Sequence, residues 1–189
     1  MMRVFIAIEI DEVVRRDLAD LQSELQGKVD IKRNDAKWVN PDNVHLTLKF
    51  LGEIKDTEVV EVCNIAREVA ARHRDFDIEV GRVGHFGGRS ARVLWVGAGD
   101  ECDELLKLQQ DIEERLAEAG LPKESRKYSG HLTLCRIRNP KAGFKLAELA
   151  EEYRDFKLGM IPAGAVTVYQ SELTPSGPVY TVLGRYELQ

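Results

Sequence analysis

The chain has 189 residues, 43% of them apolar and 31% charged, and its formal net charge is −5. That length and composition suit one domain or two fused lobes with a sizeable core. The acidic balance excludes a protein that coats long nucleic acid, so any such substrate is engaged at an end or at one phosphate, by a local cluster of cations. No run approaches the roughly 18 apolar residues of a membrane span, and no basic-then-apolar leader opens the chain. The expected location is therefore the cytoplasm, with no membrane partner. Three cysteines, Cys63, Cys102 and Cys135, give neither a disulfide framework nor metal-ligand spacing. Cys63 and Cys102 fall in helical patterns as small apolar groups, while Cys135 is placed by the sequence on the face of the motif that precedes it.

Strand and helix patterns alternate along the chain. Residues 4–8 read as a first strand. Asp11 is an N-cap for a helix over 11–26 ended by Gly27, with Val13, Val14, Leu18, Leu21 and Leu25 on one stripe. A polar stretch leads through Lys37-Trp38-Val39 and the turn Pro41-Asp42-Asn43 to a strand over 44–51 closed by Gly52. Asp56 or Thr57 caps a second helix reaching about His73. Strands follow over 76–83 and 91–96, joined by a Gly-rich bend that holds His85 and Phe86. A third helix, 101–119, ends at Gly120 as a C-cap glycine would. Then come a strand over 131–137, a short helix over 145–153, and strands over 156–161, 165–171 and 179–187. Thr174-Pro175-Ser176-Gly177-Pro178 turns the last two into a hairpin. The reading is α+β: one bilobal domain over 1–189 with approximate two-fold symmetry, helices outside and mainly antiparallel sheets lining a central cleft.

The tetrapeptide His45-Leu46-Thr47-Leu48 recurs as His131-Leu132-Thr133-Leu134, 86 positions later, in a chain with four histidines. In a strand, side chains alternate between faces, so each copy offers an imidazole and a hydroxyl on one face and two leucines on the other. Two such strands facing one cleft supply a general acid and a general base, since histidines near a pKa of about 6.5 can hold opposite protonation states. Two hydroxyls can donate to a charged oxygen without a metal. That set fits transfer at phosphorus. Lys49 and Arg136, which follow the two motifs, are candidate substrate contacts, as are Arg126, Lys127 and Tyr128 upstream of the second. Trp38 and Phe86 suit core packing better than base stacking, and His73 and His85 read as structural. No G-x-S-x-G elbow, phosphate-binding P-loop, dinucleotide fingerprint or zinc spacing is present. Sequence alone leaves open which histidine is the acid. It also leaves two other readings: a non-catalytic nucleotide or RNA-end binding module, and a phosphodiesterase for a small cyclic nucleotide.

The paired motifs resemble the H-x-[ST]-x pair of the RNA 2′,3′-cyclic phosphodiesterase family, also called 2′-5′ RNA ligases, of the two-histidine phosphoesterase superfamily. The resemblance spans nearly the whole chain: Arg3 to Ile8, Lys37 to Glu53, Arg92 to Gly97, and Ser171 through Gly177 to Tyr180. It implies that His45 donates a proton to the leaving 3′ oxygen and that His131 accepts one from water, leaving a 2′-phosphate. Thr47 and Thr133 would bind the phosphate. It also implies RNA ends, tRNA halves among them, as substrates, no cofactor or metal, a monomer, and 2′-5′ ligation as the reverse reaction. Two departures stand beside the second motif. Gly130 and Cys135 replace the family's common Pro and Ala, and Gly130 is expected to loosen the approach to His131.

Overall fold

In the computed structural model of the chain, residues 1–175 and 177–189 are described. The apolar run behind Met1 forms β1 (Met2–Glu9), followed by α1 (Glu12–Lys28), β2 (Ala36–Trp38), a 3-10 turn (Pro41–Asn43), β3 (His45–Ile54) and α2 (Asp56–Ala70). The second half runs β4 (Phe76–Phe86), β5 (Val93–Ala98), α3 (Asp103–Glu118), β6 (His131–Ile137), α4 (Pro140–Glu152), β7 (Lys157–Ala163), β8 (Ala165–Thr174) and β9 (Gly177–Glu187). Asp11 caps α1 as expected, its Oδ1 accepting from Val14 N at 2.9 Å.

Several boundaries differ from the sequence reading. Helix α1 runs through Gly27. The cap of α2 is Lys55, whose N–H donates to Glu58 Oε2 at 2.7 Å, and the helix stops short of His73. Strand β3 passes Gly52, which takes φ +71 inside it. Strand β4 absorbs His85 and Phe86 from the expected bend. The β8–β9 hairpin forms, pairing Thr174 with Gly177; Ser176 of its expected turn lies outside the described residues.

All strand pairings are antiparallel. They build two sheets, ordered β3-β1-β8-β9 and β2-β6-β5-β4-β7. The orders correspond as β3 to β6, β1 to β5, β8 to β4 and β9 to β7, which is the two-fold relation the repeated motif predicts. Helices α1 and α3 cross between the lobes, while α2 and α4 pack on the sheets they leave. Helix α1 leaves β1 of the first sheet and packs on β7 of the second; α3 leaves β5 of the second and packs on β3 and α2. Each crossing buries an apolar stripe, Leu18, Leu21 and Leu25 on α1 and Leu105, Leu108 and Ile112 on α3. The opposite faces of the two sheets, left uncovered by helices, carry the histidines. Among the described residues no helix is long and apolar enough to cross a membrane.

Candidate active site

The motif strands obey the alternation only as far as their second leucine. In β3, His45 pairs with Glu9 and Thr47 with Ala7, but Lys49 pairs with Ile6, so Leu48 is an extra, unpaired residue. In β6, His131 pairs with Gly97 and Thr133 with Trp95, but Cys135 pairs with Leu94, so Leu134 is extra. Each strand thus carries a β-bulge at the same motif position, and the bulge reverses which face the following residues take. His45, Thr47 and Phe50 line the cleft in one lobe, and His131, Thr133 and Arg136 line it in the other.

This parity change corrects two expectations. Lys49 is turned away from the cleft and buried, its Nζ 2.6 Å from Glu113 Oε1 and donating to Pro122 O at 2.9 Å. Cys135 is fully buried on the core side, where desolvation pushes its thiol up to about 12. The residues upstream of the second motif also lie elsewhere. Arg126 is exposed and paired with Glu124, and Lys127 is exposed. Tyr128 packs on the core and its hydroxyl donates to Thr47 O at 3.1 Å, tying the approach of one motif to the backbone of the other. None of the three lines the cavity. Gly130 does not loosen its surroundings: a Cβ there would lie 2.2 Å from Ala98 O, so only glycine permits this approach of β5.

The two histidines are held alike. His45 Nδ1 lies 3.0 Å from Asn43 O, and His131 Nδ1 lies 2.8 Å from Ser129 O. A carbonyl only accepts, so each bond places the proton on Nδ1 and leaves Nε2 to exchange protons. Aromatic rings wall both imidazoles. Phe5 stacks on His45 at 4.5 Å and Tyr180 meets it edge-on at 5.3 Å. Phe86 meets His131 edge-on at 5.0 Å, with Trp95 at 6.3 Å. Trp95 can lie flat there because Gly84, facing it across the ladder, has no Cβ; one would sit 2.3 Å from the indole. Burial pushes His45 down to about 4 and lowers His131 from its ordinary value, with the Arg136 guanidinium adding to the second shift.

Both motifs open on one cavity of about 590 Å³. Arg3, Lys37 and Arg136 are its cations, and among the described residues no carboxylate shares the lining. Arg3 sits over the Phe50 ring at 4.8 Å, and Trp38, Asn40 and the β9 residues Pro178 to Tyr180 complete the walls. Sequence reasoning missed Arg3, Lys37, Phe50 and Tyr180; Trp38 packs on the core as expected and also lines the cavity, whereas Phe86, expected in the core, is exposed beside His131. Lys37 carried a readable signal, standing shortly before the motif-leading turn; Tyr180 reaches His45 only through long-range pairing of β9. His73, 3.1 Å from Asp111 Oδ2, and His85 on β4 lie outside the cavity lining. Among the described residues, no group of three or more His, Cys, Asp or Glu side chains could hold a metal ion.

Two successive segments of the chain, 8–95 and 96–180, each match the LigT like Phosphoesterase family. The division between them falls between the two motifs. The RNA 2′,3′-cyclic phosphodiesterase of Methanothermobacter thermautotrophicus is 32% identical over 99% of both chains. The protein of the same description from Thermotoga maritima is 34% identical over 100% of this chain and 95% of its own. Among solved structures, TT0787 of Thermus thermophilus superposes with a TM-score of 0.79 at 27% identity, covering 99% of this chain and 98% of its own. Escherichia coli LigT in apo form has the same fold, with a TM-score of 0.75 over 100% of this chain and 98% of its own, at 23% identity. The chain belongs to the LigT-like phosphoesterase family.

Proposed function

We propose that the cavity hydrolyses 2′,3′-cyclic phosphate ends of RNA to 2′-phosphomonoesters, without a metal, by proton transfer between His45 and His131. The observation that carries this reading is the matched pair of Nδ1-anchored imidazoles, each beside a motif threonine, in one cavity lined by cations. Full-length relatives described as RNA 2′,3′-cyclic phosphodiesterases support the substrate class.

In this mechanism, water approaches phosphorus from the His131 side and gives its proton to Nε2 as the new P–O bond forms. The bond from phosphorus to the 3′ oxygen breaks on the opposite side, and His45 Nε2–H supplies the proton that oxygen needs. The Thr47 and Thr133 hydroxyls donate to the non-bridging oxygens, whose charge grows in the transition state. One imidazole must arrive charged although burial favours neutrality. The phosphodiester anion supplies the compensating charge, so substrate binding itself raises the pKa of the group that must donate. The anion thereby keeps the His45 imidazolium in place to protonate the alkoxide leaving group. Phe50 and Arg136, the side chains that the bulges turn inward, offer an aromatic and a guanidinium face to the nucleobase.

The test is phosphorus NMR of a short RNA with a 2′,3′-cyclic phosphate end, incubated with EDTA-treated protein. A 2′-phosphomonoester is expected. A 3′-phosphate would reverse the roles of the two imidazoles, and recovery of unchanged substrate would overturn the reading.

A further inference from the structure

The bulge that aims Arg136 into the cavity has its own support. Gln22, on α1, is 5% exposed. Its Nε2 donates to Leu134 O, the carbonyl of the extra residue, at 3.0 Å and to Val39 O at 2.9 Å. Val39 N donates to the same Leu134 carbonyl at 2.9 Å. One buried amide therefore closes the end of the β2–β6 ladder where β6 departs from alternation. The other lobe repeats the device more loosely: Gln109, on the crossing helix α3, reaches Leu48 O, the extra residue of β3, at 3.5 Å. Without the bulge at Leu134, strict alternation would put Cys135 beside His131 and Thr133 and turn Arg136 toward the core.

We propose that Gln22 is a positioning residue for substrate binding: by holding the Leu134 and Val39 carbonyls it fixes the bulge, and the bulge fixes Arg136 in the cavity. The part that concerns substrate rests on the function proposed above; the part that concerns the strand does not. His131 and Thr133 precede the bulge and keep their face whether or not it forms. Loss of the amide should therefore weaken binding and spare the proton transfers.

Gln22→Met keeps the length of the side chain and removes both N–H donors. Its KM for a 2′,3′-cyclic nucleotide should rise about tenfold with kcat within about twofold of wild type. Arg136→Ala should raise KM comparably, and the double variant should be no worse than Arg136→Ala alone, because both changes remove the same contact. Independently of activity, Cys135 should become reactive toward a maleimide in Gln22→Met, located by peptide mass mapping, whereas it is buried in the parent. An unchanged KM with Cys135 still protected, or additive losses in the double variant, would overturn the proposal. Gln22→Glu provides a second check should the methionine variant fail to fold. Its carboxyl group donates only when protonated, so the ratio of its KM to that of wild type should climb with pH. A ratio independent of pH would equally overturn the proposal. Absence of hydrolysis by the wild type would instead remove the proposed function, leaving the maleimide result to judge the clamp.

Discussion

In the proposed mechanism His45 and His131 exchange protons through Nε2, and burial behind Phe5, Tyr180, Phe86 and Trp95 lowers both pKa values. That mechanism needs one imidazolium and one neutral imidazole in the free enzyme, so kcat/KM should follow the fraction of molecules carrying a single proton on the pair. That fraction falls below the lower pKa and above the higher one, and both lie under the ordinary value of about 6.5. The profile of kcat/KM should accordingly be a bell with its maximum between about pH 4 and 6.5, declining through neutrality. The profile of kcat should sit higher, because the bound phosphodiester anion favours the imidazolium. Tyr180→Ala opens the wall beside His45 and should move the acid limb of kcat/KM upward toward about 6.5; an unmoved limb would assign it to another group. His45→Ala and His131→Ala should each lower kcat by about 10³-fold with Tm retained, since both side chains are only half-buried. Near wild-type turnover in either variant would rule out the pair mechanism.

At the scale of elements, the bulges decide what the motif strands do beyond their threonines. Lys49 sits where alternation predicts a substrate contact, yet it straps β3 to α3 and to the segment that leads into β6. Glu113 Oε1 also accepts from Glu124 N at 2.6 Å, so one carboxylate gathers β3, α3 and that segment together. Lys49 and Glu113 are 6% and 8% exposed. Lys49→Met leaves a buried carboxylate without its cation, which costs about 3 kcal/mol or more, a fall in Tm of about 6–12 °C for a chain of this size. KM should hardly change, because Lys49 does not reach the cavity, and replacing Glu113 by Leu in the same variant should recover most of the lost Tm. A raised KM with Tm unchanged would restore Lys49 as a substrate contact. This pair also marks where sequence reading ends. The tetrapeptides and the period-two pattern made the His and Thr faces legible, and the same rule continued past Leu48 and Leu134 gave the wrong face for Lys49 and Cys135. An extra strand residue has no compositional signature; it depends on the register of the neighbouring strand and on Gln22 and Gln109, which lie far away in sequence.

At the scale of the molecule, a net charge of −5 surrounds a cavity whose charged lining, among the described residues, is Arg3, Lys37 and Arg136. The two-fold arrangement explains how the one coexists with the other. Helices cover the backs of both sheets and leave the opposite faces to the cleft, so cations need cluster only where the two motif strands converge. Away from that point an acidic surface repels the phosphates of a long strand, whose attraction to protein is otherwise dominated by charge. Such a cleft should hold the last nucleotides of an RNA and gain nothing from the remainder. Values of kcat/KM for a long RNA and a short oligonucleotide with the same cyclic end should therefore agree within about threefold. Three cations that meet phosphates of a single strand release at most three counterions, so the fall of log(kcat/KM) with log salt should have a slope no steeper than about −2. Neutralising Arg3 or Arg136 should make that slope shallower by about 0.7 if the side chain meets a phosphate, and leave it unchanged if it meets only a base. A steep slope that grew with RNA length would place a second cationic track outside the cavity and contradict recognition confined to the end.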